Sequence, residues 1–185
     1  MKRLLHQDIL LERLSEKDAA SAANRFPVIA ILDNIRSLYN VGSIFRTSDG
    51  VRLEAVFTAG YTPHPPRKEI EKTALDATRT VPHRHFKHVT DAIAAARELG
   101  CRIAALELTD ASRWVFEMTL ADFPLGLVIG NEITGVSDAA LAACDFSVAI
   151  PMLGAKHSLN VAVAFGVAVY ECLRASGADP AAFRP

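Results

Sequence analysis

Short apolar runs alternate with amphipathic stretches along most of this chain. Continuous hydrophobic segments occur at Val28-Ile-Ala-Ile-Leu32, Ala55-Val-Phe-Thr-Ala59, Ile103-Ala-Ala-Leu106, Leu125-Gly-Leu-Val-Ile129 and Phe146-Ser-Val-Ala-Ile150. Runs of this length without polar alternation suit strands buried on both faces, as in a parallel sheet. Between them the apolar residues take helical spacing. One helix is expected from Asn40, with Val41, Ile44 and Phe45 as its buried face, and others over residues 91–99, 137–143 and 158–175. Gly100 is placed to close the second of these. Residues 8–24 carry a further amphipathic pattern through Ile9, Leu10, Leu14 and Ala20. The alternation predicts an α/β fold, a mostly parallel sheet flanked by helices. It divides the chain into a helical extension (1–26), one α/β domain (27–175) and a loose tail (176–185).

The last helix is apolar nearly all round. Val161, Ala164, Phe165, Ala168 and Cys172 lie on one side, and Ala162, Val163, Gly166, Val167 and Tyr170 on another. Such a helix must be covered on every face. In a domain of this size one side is expected to pack the core and the other a partner subunit.

Composition changes this picture little. At 185 residues, half of them hydrophobic, the chain can bury a proper core. The longest apolar run, residues 161–170, is too short to span a bilayer, and the first residues lack the apolar stretch of a signal peptide. Cys101, Cys144 and Cys172 are widely spaced with no CxxC pair, so they are expected as reduced core thiols in a cytoplasmic protein.

Charge is more informative in its distribution than in its sum. A net charge of -1 argues against a strongly electropositive nucleic-acid binder. Yet residues 64–88 hold Arg67, Lys68, Lys72, Arg79, Arg84 and Lys87 against Glu69, Glu71 and Asp76, with four histidines (His64, His83, His85, His88) among them. A local basic loop of this kind suits a phosphate backbone. The group His83, His85, His88 is flanked by cations and lacks a matching acid or Cys, so no metal is expected there. Neither a G-x-G-x-x-G after the first strand nor a Walker A sequence is present.

Three segments concentrate polar and glycine residues where strands end. In the first, Asn40 is expected to cap a helix on which Gly42 and Arg46 share a face. The glycine would leave room for the guanidinium to reach a ligand with its planar donor fork. In the second, Glu132 follows a buried strand at the carboxyl edge of the sheet, where α/β proteins place ligand loops. In the third, Ser158 is expected to cap the final helix and offer its free N–H groups to a polar ligand. Leu159 would line an apolar slot, and Asn160 would face the site with both donor and acceptor capacity.

Taken in order, these segments are Asn34-Ile-Arg-Ser-Leu-Tyr-Asn40-Val-Gly42-Ser-Ile-Phe-Arg46-Thr47, Leu127-Val-Ile-Gly130-Asn131-Glu132-Ile-Thr-Gly135-Val and Ile150-Pro-Met-Leu-Gly154-Ala-Lys-His-Ser158-Leu-Asn160-Val-Ala-Val-Ala. They resemble the three motifs of the SpoU/TrmH group of RNA methyltransferases, in the SPOUT superfamily, a likeness that runs over residues 28–175. The resemblance implies a SPOUT-type sheet with a C-terminal trefoil knot, a homodimer, and transfer of a methyl group from S-adenosylmethionine to a ribose 2′-hydroxyl of tRNA or rRNA. It implies cofactor contacts at Gly130, Ile150 and Leu159, the last beside adenine, with Leu108 and Ser158 as neighbours. It also implies catalytic or substrate-positioning roles for Asn40, Arg46, Glu132 and Asn160, Glu132 either contacting substrate or orienting Arg46 and Asn40. Arg67, Lys68, Lys72, Arg79 and Arg84 are the expected RNA contacts. Where the family commonly has Gly-Ala-Glu, this chain reads Asp76-Ala77-Thr78, a departure that bears on which RNA is recognised. Two other functions fit the sequence: a catalytically silent RNA- or cofactor-binding dimer, and a methyltransferase of a small molecule.

Overall fold

Each of the five apolar runs forms a strand, and two short strands join them at the sheet edges. In the computed structural model, residues 25–178 are described; the amphipathic segment 8–24 and residues 179–185 of the tail lie outside them. The strands are β1 (Phe26–Asp33), β2 (Leu53–Ala59), β3 (His83–Phe86), β4 (Arg102–Leu106), β5 (Arg113–Trp114), β6 (Leu125–Ile129) and β7 (Phe146–Ala149). They build one seven-stranded sheet in the order β3-β2-β1-β6-β4-β7-β5, with every pairing parallel.

Burial on both faces explains the continuous apolar runs. Val28, Ala30 and Leu32 of β1 enter one core, with Leu125 and Leu127 of β6; Ile29 and Ile31 enter the other, with Val128. Helices α1 (Leu38–Gly50), α2 (Lys68–Ala74) and α6 (Val161–Ala175) contribute Ile44, Phe45, Ile70, Phe165 and Cys172 to the first core. Helices α4 (Val89–Glu98) and α5 (Asp138–Ala143) contribute Ala92, Ile93, Ala96 and Ala140 to the second. The result is an α/β/α sandwich.

The basic segment is not a plain loop. It folds as α2 and a single turn, α3 (Ala77–Thr80), because Ile70, Ala74 and Ala77 have an apolar surface to cover. α2 lies so close to α1 that a Cβ on Gly42 would overlap the Thr73 hydroxyl and the Ile70 carbonyl. The space above Gly42 therefore belongs to α2, not to the Arg46 side chain. Between α2 and α3, Leu75 and Asp76 take left-handed backbone (φ 49° and 67°). Asp is among the few non-glycine residues that tolerate this conformation. Thr78 donates its hydroxyl to the Glu71 carboxylate at 2.7 Å, which ties the two helices together.

Two helix caps differ from expectation. α1 begins at Leu38, and its cap is Ser37, whose Oγ accepts from the Asn40 N–H at 3.2 Å. Asn40 thus lies inside the first turn with its amide free for other partners. α6 begins at Val161 and is capped by Asn160, whose Oδ1 accepts from the Ala162 and Val163 N–H groups at 2.9 and 3.4 Å. Ser158 remains in the preceding loop; Asn caps as well as Ser does, and it is the residue that stands at the helix boundary.

Candidate functional site

The parallel order sets the carboxyl ends of β1, β6, β4 and β7 side by side, so the loops after them open on one edge. Three polar side chains from three of these regions join there. Glu132, after β6, accepts through Oε2 from the Arg36 N–H at 3.0 Å, and through Oε1 from the Ser37 N–H at 3.2 Å and the Asn40 amide at 2.9 Å. The Asn40 Oδ1 accepts in turn from the Asn160 amide at 3.2 Å, and Asn160 caps α6. Both ends of the Asn40 amide are used, which fixes its orientation. Asn40, Glu132 and Asn160 are thus brought together, and Glu132 orients Asn40 rather than Arg46.

The Glu132 carboxyl is held in its charged form. Partial burial disfavours the charge, but the Arg36 N–H, the Asn40 amide and the Ser37 N–H outweigh it and keep its pKa below the ordinary carboxylate range. A depressed folded-state pKa contributes stability above the unfolded value and loses it as pH falls through the lowered one. The carboxylate that accepts these three hydrogen bonds is therefore the form present at neutral pH, and its contribution is lost as pH falls through the lowered value.

Asn131 builds the loop that presents Glu132. It is buried, donates to the Asn34 carbonyl at 2.7 Å and the Tyr61 hydroxyl at 2.8 Å, and accepts from the Ile133 and Thr134 N–H groups at 2.8 and 3.1 Å. Its hydrogen-bonding capacity is filled. Gly130 serves the same turn, since a Cβ there would overlap the backbone of Gly135 and Val136. Asn131 stands inside the second motif, between two candidate residues, and was the one signal in the sequence that could have found it. Nothing in the sequence marks the backbone donors of Arg36 and Ser37.

The remaining candidates fall into three places. Arg46 is exposed on α1, and its side chain forms no hydrogen bond or ion pair with the described residues. Six residues beyond Asn40, it sits about 9 Å further along the helix axis, outside the joined set. Leu108 after β4 and Leu159 after β7 are exposed, Ile150 is half-buried, and Ser158 is exposed between them. Residues 152–159 make no hydrogen bond with the described residues, leaving a stretch of backbone donors and acceptors beside apolar side chains. That donor set suits a ligand with a flat apolar ring and a polar edge, as in an adenine nucleoside. Arg67 just before α2, Lys68 and Lys72 on α2, Arg79 on α3 and Arg84 on β3 are all exposed. Arg79 lies 3.5 Å from the exposed Asp76, and Arg84 stacks on Phe86 with 4.5 Å to the ring centroid.

Among the described residues no group of three or more His, Cys, Asp or Glu could hold a metal ion, and no helix is long and apolar enough to cross a membrane.

The family described as SpoU rRNA Methylase matches residues 27–170. A TrmH family protein of Staphylococcus epidermidis is 32% identical over 150 residues, covering 81% of this chain and 59% of that protein. The chain spans about three fifths of the length of the curated relatives it matches. The TrmH/SpoU tRNA modifying enzyme of A. aeolicus has a similar structure, with a TM-score of 0.79 and 26% identity over 96% of this chain and 89% of that one. The SpoU methyltransferase AviRb of Streptomyces viridochromogenes, solved in complex with the cofactor AdoMet, gives a TM-score of 0.70 and 28% identity over 79% and 56%.

Proposed function

The chain belongs to the SpoU rRNA methylase family, and we propose that it transfers a methyl group from S-adenosylmethionine to a ribose 2′-hydroxyl of tRNA or rRNA. The observation that carries this reading is the Glu132–Asn40–Asn160 set beside a loop with unspent backbone hydrogen bonds. The similarity to a tRNA modifying enzyme and to a methyltransferase solved with AdoMet supports it.

S-adenosylmethionine would supply an already activated methyl group, leaving the protein to align the attack and manage one proton. Leu108, Ile150 and Leu159 would bracket the adenine, and Ser158 with the backbone of residues 152–159 would meet its polar edge. Gly130 acts by letting its loop fold back. Asn40, oriented by Glu132 and Asn160, would fix the ribose. Arg46 is too basic to serve as a general base; it would stabilise the developing 2′-alkoxide and grip the neighbouring phosphate, the proton leaving to a phosphate oxygen or water. Arg67, Lys68, Lys72, Arg79 and Arg84 would follow the RNA backbone. The Arg79–Asp76 pair is exposed, so exchanging it for a phosphate costs little.

A homodimer, the trefoil knot and a cytoplasmic location belong to the same proposal. α6 leaves Val163 and Tyr170 about half exposed (53% and 54%), with Val167 beside them, on the side away from the core. Sedimentation is expected to give a dimer, and Val167→Glu a monomer; a wild-type monomer would remove the partner subunit from this face.

Glu132→Gln tests the site. The change keeps the shape but sets an NH2 group against backbone N–H donors. Methyl transfer to undermodified RNA should fall about tenfold or more while cofactor binding, followed by calorimetry, holds. Unchanged turnover would take Glu132 out of the mechanism.

A further inference from the structure

The loop after β2 builds a second polar concavity next to the Glu132 set. A cavity of about 340 Å³ is lined by Arg36, Tyr61, His64, Arg67 and His85 among others, and no carboxylate lines it. The His64 and His85 rings stack with 4.2 Å between centroids. Nδ1 of His85 lies 3.0 Å from the Thr58 hydroxyl, whereas Nδ1 of His64 is buried without a hydrogen-bond partner. Tyr61 is anchored through its hydroxyl to Asn131, yet the residue is 62% exposed, so its ring is held still with a face open.

Two arginines and two histidines lining one space, with no carboxylate among the lining residues, are suited to an anion. An open, anchored aromatic ring beside them suits a nucleobase. Arg36 joins this cavity to the Glu132 set, because its backbone N–H donates to Glu132. We propose that the cavity seats a phosphate of the substrate RNA next to the methylated nucleotide, held by Arg36, Arg67 and the His64–His85 pair, which takes up a proton as the phosphate enters, while Tyr61 supports the attached base. The proposal rests on the chain acting on RNA.

The direction of the proton coupling follows from the surroundings of the pair. Burial, then His85, Arg67 and His83, push the His64 pKa down in the protein alone. The ionisable groups facing the pair are Arg36 and Tyr61 from the loops after β1 and β2, Arg67 at the start of α2, and His83 from β3. Arg36, Arg67 and His83 disfavour a further positive charge there. A phosphate supplies the missing negative charge, so binding draws a proton in, and by linkage lower pH must tighten binding.

Full-length protein should be titrated with fluorescently labelled undermodified tRNA, and in parallel with an rRNA fragment, near pH 6 and near pH 8. Wild type is expected to bind about tenfold tighter at the lower pH. His85→Gln and Arg67→Ala, both at exposed positions, should each remove most of that ratio, and Tyr61→Ala should weaken binding at both pH values without changing it. A wild-type affinity indifferent to pH, or a ratio retained in both His85→Gln and Arg67→Ala, overturns the phosphate seat. If wild type methylates RNA but binds it equally at both pH values, only the seat is lost; if no RNA fraction accepts a methyl group from wild type, the proposed function falls with it.

Discussion

Arg46→Ala is expected to lower methyl transfer by about three orders of magnitude and leave the fold intact. Removing one donor aimed at developing negative charge costs about two to three orders of magnitude in rate, and Arg46 would serve the alkoxide and a phosphate together. Its side chain is exposed and bonded to none of the described residues, so truncation should change stability by no more than about 0.5 kcal/mol. Arg46→Lys keeps the charge but not the planar fork, and is expected to lose about tenfold or more because an ammonium cannot bridge two oxygens in fixed geometry. Single-turnover rates alongside thermal melts separate the two effects. Wild-type turnover in Arg46→Ala would show that the arginine is a surface cation and nothing more.

Gly42→Ala should destabilise the domain by about 2 kcal/mol or more, although helix propensity alone predicts a gain of about 1 kcal/mol from replacing a helical glycine. The sign is decided by α2. A methyl group on residue 42 would overlap the Thr73 hydroxyl and the Ile70 carbonyl and come within 3.1 Å of the Ala74 amide nitrogen. Thr73 is itself committed, donating to the Tyr39 carbonyl at 3.0 Å. The backbone of α2 must therefore retreat, carrying Arg67, Lys68 and Lys72 with it. Denaturant unfolding should show the loss of stability, and RNA affinity should fall in the same variant. A Gly42→Ala protein more stable than wild type would mean that the two helices do not pack this closely.

The sheet was legible in the sequence wherever a strand is buried on both faces. β6 carries no polar side chain, and β1 none before its last residue, Asp33, because both faces meet a core. β3 was not legible, for the opposite reason: His83, Arg84 and His85 are exposed at the sheet edge and only Phe86 is buried. α2 was hidden by Lys68, Glu69, Glu71 and Lys72, which leave Ile70 and Ala74 as its only buried residues. At the site, the motifs singled out Asn40, Glu132 and Asn160, but their wiring joins residues 92 and 120 positions apart and depends on the order of the strands. Spacing correctly put Gly42 and Arg46 on one helix. It could not reveal that another helix fills the space over the glycine, nor that Ser37 takes the capping role and frees Asn40 to meet Glu132. The His64–His85 stack lay in plain view as two histidines in a basic segment, yet only the pairing of β3 with β2 brings His85 beside Thr58 and within reach of His64.

The most direct test is to incubate the full-length protein with S-adenosylmethionine labelled in its methyl group and undermodified tRNA and rRNA, then digest the RNA to nucleosides. Label recovered as a 2′-O-methyl nucleoside from one RNA class is the expected result. Label on a base, or none on any RNA while the cofactor still binds, would contradict ribose methylation as the function of this chain.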